Sequence, residues 1–217
     1  RGELEDAAAR LRRGLYMLQR AYRPANAARA ALFNVQGCLR AARDQHEAAH
    51  ADHQAAYALL CTPTQSAAKW EWTQAALAGS VWALLALRQP SAAMRVSGLA
   101  LKEQPTGQAE THEPSLAIAR ANFAIAELEV MRTAVRCGEP LDESAAQRAA
   151  TCLSTSATTL EVLLGEAHPN AREARANAAA VAAGSLPPDD WEWGRLWQPS
   201  LGAALADTAM VDETRVT

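Results

Sequence analysis

The chain has 217 residues, a net charge of −3, 49 % hydrophobic residues and only 5 % aromatics. Much of the hydrophobic fraction is alanine, the best helix former and a poor filler of volume, so closely stacked helices are favoured over a globule with a thick centre. No basic block tracks phosphates, which argues against a nucleic-acid partner, and no apolar run reaches the ~20 residues of a membrane span.

The chain opens on Arg1, without Met, and enters helix almost at once. It reads as a piece of a longer or processed polypeptide. Glu3–Tyr22 predicts a helix: Leu4, Ala8, Leu11, Leu15, Leu18 and Tyr22 recur on one stripe, and Arg10, Arg12 and Arg13 fall elsewhere. Pro24 marks the break. Ala27–Ala42 is the next helix, followed by a bend near Arg43–Asp44 and a helix to Leu60. Thr62-Pro63-Thr64 is a turn. Ser66–Leu87 and Ser91–Lys102 are helices separated at Pro90, and Glu103–Glu113, with Pro105 and Gly107, is a loop.

Pro114–Arg136 predicts a long helix with proline in its first turn, where a missing N–H costs nothing. Asp142 or Ser144 caps Ala145–Leu164, and Gly165 stops it. Pro169–Ala183 is a further helix ended by Gly184. Beyond it Leu186-Pro187-Pro188-Asp189-Asp190 is a linker, Trp191, Trp193 and Trp197 follow closely, and Leu201–Met210 is one short helix. No segment reads as a strand.

Cys38, Cys61, Cys137 and Cys152 are widely spaced, with no C-x-x-C pair. Neither a zinc knuckle nor a redox pair is suggested, and free thiols fit an intracellular, reducing compartment.

Two stretches echo each other. Thr111–Ala124 and Ala167–Ala180 each place a His just before a proline, then run helically to R-A-N-x-A, so that Arg120, Asn122 and Ala124 stand 55 residues before Arg175, Asn177 and Ala179. A recurring helix start marks an array of helical hairpins.

The alternation of long helix, turn and long helix resembles tetratricopeptide repeats. Phe33 and Gly37 match the bulky-then-small pair of that family's first helix, and Ala49 and Ala56 its small residues seven apart on the second. Small side chains there let two helices touch. Leu164-Gly165-Glu166-Ala167-His168-Pro169 looks like the repeat start of the kinesin-light-chain style, and Asn122-Phe123-Ala124 is similar to its N-N-L-A segment. The chain departs from the family in spacing: Pro24, Pro63, Pro114 and Pro169 lie 39, 51 and 55 apart, against about 34 for a regular repeat. The resemblance implies an α-solenoid of irregular antiparallel hairpins over residues 1–184. It also implies a concave groove in which Asn34, Asn122 and Asn177 bind a peptide backbone and Arg120 and Arg175 meet carboxylates. The plain alternative is that the asparagines bond neighbouring helices. Residues 185–217 form a Trp-rich tail that caps the array.

Similar hairpins form the helical lobe of SET/MYND-type lysine methyltransferases, but the chain carries neither the MYND cysteines nor a SET motif. His46-Glu47-Ala48-Ala49-His50 formally matches H-E-x-x-H, in which two histidines one turn apart bind zinc and the glutamate is a general base. Glu71 is the candidate third ligand. No strand precedes this helix to bind a substrate backbone, and His46 and His53 fall where the repeat register places large interior side chains. The expectation is therefore a non-enzymatic all-α scaffold for protein or peptide partners, possessing no catalytic, cofactor or metal residues. A zinc hydrolase and the lobe of a larger enzyme are the alternatives.

Overall fold

The computed structural model describes residues 26–61, 67–102, 114–181, 186–188 and 191–196, and, before them, residues 6, 7, 9–11, 13, 14, 16 and 17. Every described position between 6 and 17 is helical. Seven further helices follow: α1 (Asn26–Ala41), α2 (His46–Leu60), α3 (Ala67–Ala86), α4 (Pro90–Lys102), α5 (Pro114–Arg136), α6 (Glu143–Leu164) and α7 (Pro169–Ala180). No described residue is in a strand. Leu4, Leu15, Leu18, Tyr22, the Glu103–Glu113 loop, Trp197 and Leu201–Met210 lie outside the described residues.

The helix ends follow local chemistry. Pro90, Pro114 and Pro169 each open a helix, where proline lacks only an N–H that would go unpaired. The Asp142 carboxylate caps α6 by accepting from the Ala145 N–H at 2.9 Å. The backbone bond, with that of Ser144, holds its pKa below the usual carboxylate range. His168 caps α7 through Nδ1, which accepts from the Asn170 N–H at 3.2 Å. The recurring His-Pro pair is thus, at this copy, a helix-start device. At the other ends Asp44, Arg88 and Gly138 all adopt positive φ. The N–H of the following residue reaches back to Arg40, Leu84 and Ala134 respectively, the pattern that satisfies terminal carbonyls after a left-handed residue.

Each helix packs on the next along the chain, and α1 also touches α3, and α3 touches α5. The pairs run antiparallel. Between α1 and α2, Arg40 meets Asp52, Asn34 meets His53, and Ala30 clusters with Ala56 and Leu60. Between α6 and α7, Glu161 pairs with Arg175. Ala49 and Ala56 are wholly buried, as close helix approach requires.

Burial is uneven. Residues 73–84 of α3 are buried without a break, and thirteen residues of α5 are buried. These two helices are interior on nearly all sides, the expected fate of a helix apolar all round. The largest core cluster gathers Ile118, Ile125 and Leu128 of α5, Leu153 and Leu160 of α6, Ala174 of α7, Val181 and Leu196. Each fully buried Leu or Ile contributes about 1.5–3 kcal/mol. Residues 186–188 and 191–196 lie back on this core, with Leu196 completely buried and Leu186 and Trp193 packed against it.

Candidate functional site

Five of the buried polar side chains stand out in the interior, and four of these are carboxamides. Asn34, Gln74, Asn122 and Asn177 each sit two turns into α1, α3, α5 and α7, alternate helices along the chain. All four are 0–1 % exposed. Asn34 Nδ2 donates to the Trp72 carbonyl on α3 at 3.2 Å. Gln74 Nε2 donates to the Ala100 carbonyl on α4 at 2.9 Å. Asn177 binds the backbone of Gly194 twice, Nδ2 donating to the carbonyl and Oδ1 accepting the N–H, both at 2.8 Å. Asn122 has no hydrogen-bond partner for either amide atom among the described residues. It lines a cavity of about 10 Å³ with Gln74, Val81, Ser97 and Ala119.

The fifth group is His53, on α2, 1 % exposed. Its Nδ1 lies 3.1 Å from Asn34 Oδ1. Because Asn34 gives its NH₂ to Trp72, its oxygen must accept, and His53 carries its proton on Nδ1. The ring is clamped between two glycines. A Cβ on Gly37 would lie 2.6 Å from Nε2, and one on Gly79 2.3 Å from Cε1. Only glycine lets α1 and α3 approach the ring this closely. Burial, with a smaller contribution from His50, lowers the His53 pKa to about 4. Beside it the Arg40 guanidinium donates to Asp52 Oδ1 at 3.0 Å and to the Ala48 carbonyl. Asp52 Oδ2 is buried without a partner. Burial outweighs Arg40 and raises the Asp52 pKa to about 6.

The structure buries the asparagines that the repeat resemblance expects in a groove. Asn34, Asn122 and Asn177 line no open surface: they are interior, held there because α1, α3, α5 and α7 pack on other helices or under residues 186–196. Asn34 bonds a neighbouring helix, as the plain alternative has it. Asn177 does bind a peptide backbone, that of its own chain. Arg120 is half-buried, and its carbonyl lies 3.6 Å from Cys152 Sγ. Arg175 is exposed and pairs with Glu161, which raises its pKa further.

The H-E-x-x-H residues all fall on α2, but Glu47 is exposed, while the Nδ1 atoms of His46 and His50 are buried and unpartnered. His46 Nε2 is 3.8 Å from Asp44. Glu71, the candidate third ligand, is exposed on α3. Among the described residues no three His, Cys, Asp or Glu side chains converge as a metal site. The four cysteines are free, with burial pushing Cys38 up to about 12. No helix among the described residues is long and apolar enough to cross a membrane.

Residues 186–196 meet three helices through hydrogen bonds that the sequence did not announce. Trp82 Nε1 on α3 donates to the Leu196 carbonyl at 3.2 Å. Arg132 Nη1 on α5 donates to the Pro188 carbonyl at 3.0 Å, while its Nη2 pairs with Glu129 at 2.6 Å. Trp193 Nε1 donates to Glu129 Oε1. Trp82 reads from the sequence as packing, and nothing in its neighbourhood signals a partner 114 residues away.

The outer face of α6 is of a different kind. Gln147, Thr151, Ser154, Thr155, Thr158 and Val162 are all exposed on one side of the helix. The hydroxyls of Thr151, Thr155 and Thr158 donate to the carbonyls four residues back, at 2.8, 2.9 and 3.1 Å. Their donor capacity is spent within the helix and their methyl groups remain outward. Val162, 77 % exposed, ends the stripe.

No protein-family model, no curated protein and no solved structure matches this chain.

Proposed function

We propose that this chain is a protein-interaction scaffold, a tetratricopeptide-like array of irregular helical hairpins that binds other proteins by surface burial. The observation that carries the reading is the outer face of α6. From Gln147 to Val162, ~22 Å at ~1.5 Å per residue, the stripe of Gln147, Thr151, Ser154, Thr155, Thr158 and Val162 is uncharged, with Arg148 and Glu161 at its borders. Interface cores are depleted in charge relative to the remaining surface. Here the threonine hydroxyls are already satisfied, so covering them costs little desolvation. Val162, 77 % exposed, supplies an apolar contact at the end of the stripe. The chain of helices, each packed on the next, supplies a rigid support.

The test is a photo-crosslinking amino acid at Thr158 in cells, with the same group at exposed Arg95 on α4 as control. Discrete protein adducts are expected from position 158 and not from 95, and V162K should remove them while leaving thermal unfolding unchanged. Equal adduct patterns from both positions would refute the reading.

A further inference from the structure

We propose that the inner side of α3, α5 and α7 is a recognition site for an extended peptide main chain. Residues 186–188 and 191–196 are its built-in occupant, and a segment of the same chemistry from another polypeptide exchanges with them. The inference deepens the scaffold reading and rests on it for the existence of a protein partner, but it concerns a different surface from the face of α6.

The hydrogen bonds define what the site reads. Trp82, Arg132 and Asn177 come from three different helices, and every one of them addresses a backbone atom: the carbonyls of Leu196, Pro188 and Gly194, and the N–H of Gly194. Asn177 grips one residue at both its donor and its acceptor, as a neighbouring β-strand would. Side chains contribute as well, and Leu186 packs against the core while Pro187 is buried. Leu196 is fully buried among core residues, and half-buried Trp193 gives its indole N–H to Glu129. Pro188, Glu192 and Arg195 point to solvent. A Cβ at Gly194 would lie 3.0 Å from Glu173 Cβ and closer still to its carboxylate, so a side chain there would force Glu173 to shift. The ligand class is therefore an extended peptide with a Trp-Gly-x-Leu core.

With the segment in place Arg132 is 4 % exposed and Asn177 0 %. On its departure Arg132 keeps Glu129, whereas Asn177 loses both of its bonds to Gly194, which another extended segment would restore. Main-chain bonds accept any sequence that keeps the Trp, Gly and Leu positions.

The experiment uses the full chain with a protease site inserted between Val181 and Leu186. After cleavage the carboxy-terminal piece is held by non-covalent contacts alone. A fluorescent peptide of residues 186–196 is then added. Saturable binding, competed by unlabelled peptide, is expected, with the helical circular dichroism preserved. A peptide with N-methylglycine at position 194, which removes one N–H and adds no side chain at Cα, should bind at least tenfold more weakly. Leu196→Ala should do the same. Glu192→Ala should bind as the native peptide does.

Loss of helical structure on cleavage would overturn the proposal, because the segment would then be inseparable from the core. So would failure of the peptide to bind the folded, cleaved chain. Equal binding of the N-methylglycine peptide would overturn main-chain recognition. The scaffold reading is judged separately by the crosslinks from position 158, so each can fail alone.

Discussion

His53 and Asp52 titrate in opposite senses, and a single substitution should expose it. His53 has a folded pKa of about 4 against an ordinary 6.5. Below pH 6.5 the unfolded chain takes up a proton that the folded chain refuses, so stability falls as the pH drops towards 4. The shift of about 2.5 units, at ~1.36 kcal/mol each, amounts to ~3 kcal/mol. Asp52 has a folded pKa of about 6 against an ordinary 3.8. Between those values the folded chain holds the proton, so this group adds stability as the pH falls through 6. In the native chain the two slopes oppose each other from about pH 6 to 4 and largely cancel. D52N keeps the shape beside Arg40 and removes the compensating group. Urea unfolding at half-unit steps from pH 7 to 4 is the assay. The native chain should lose little through these two groups, whereas D52N should lose ~3 kcal/mol more over the interval. Adding H53Q to D52N should flatten the profile again. A D52N profile parallel to that of the native chain would refute the raised Asp52 pKa, and a D52N/H53Q profile as steep as that of D52N would refute the assignment of a neutral, solvent-inaccessible His53.

Further predictions follow from the same interior. G79A pushes a methyl group into the His53 ring and should cost about 1–3 kcal/mol, as overpacking does; H53A in the same chain should recover part of that loss, and additive effects in a double-mutant cycle would refute the clamp. N122L removes a carboxamide with no partner and should raise stability by ~1–3 kcal/mol in chemical denaturation. A loss instead would mean that a polar partner occupies the cavity, which at about 10 Å³ is close to the size of one water. R88G relieves a non-glycine residue at φ 58° and should raise the thermal midpoint by the equivalent of ~1 kcal/mol; no rise would mean that the Arg88 side chain compensates. D142A should cost ~1 kcal/mol through loss of the α6 cap, read by calorimetry.

Helices were legible because their signals are local. Proline at the first turn, glycine or a turn at the end, and apolar spacing of three and four placed α1 to α7 within a few residues of their observed bounds. Small residues at Gly37, Ala49 and Ala56 marked a close helix contact, and the structure puts all three in it. Proximity in sequence also carried the hairpins, since a short turn between long helices leaves antiparallel packing as the compact solution.

What the local pattern could not supply is which face becomes interior. Asn34, Asn122 and Asn177 read equally well as groove or as core, because an amide is at home in either if it finds partners. The choice fell to the packing of α3 and α5 on almost every side and to residues 186–196 lying across them. The same holds for Arg132 and Trp82, whose backbone partners lie 56 and 114 residues away. His53 shows the division most sharply. Its spacing predicts an interior side chain, and the chain alone says no more. The approach of Gly37 and Gly79 from two other helices closes over the ring, and that desolvation, more than its neighbour His50, sets its proton affinity.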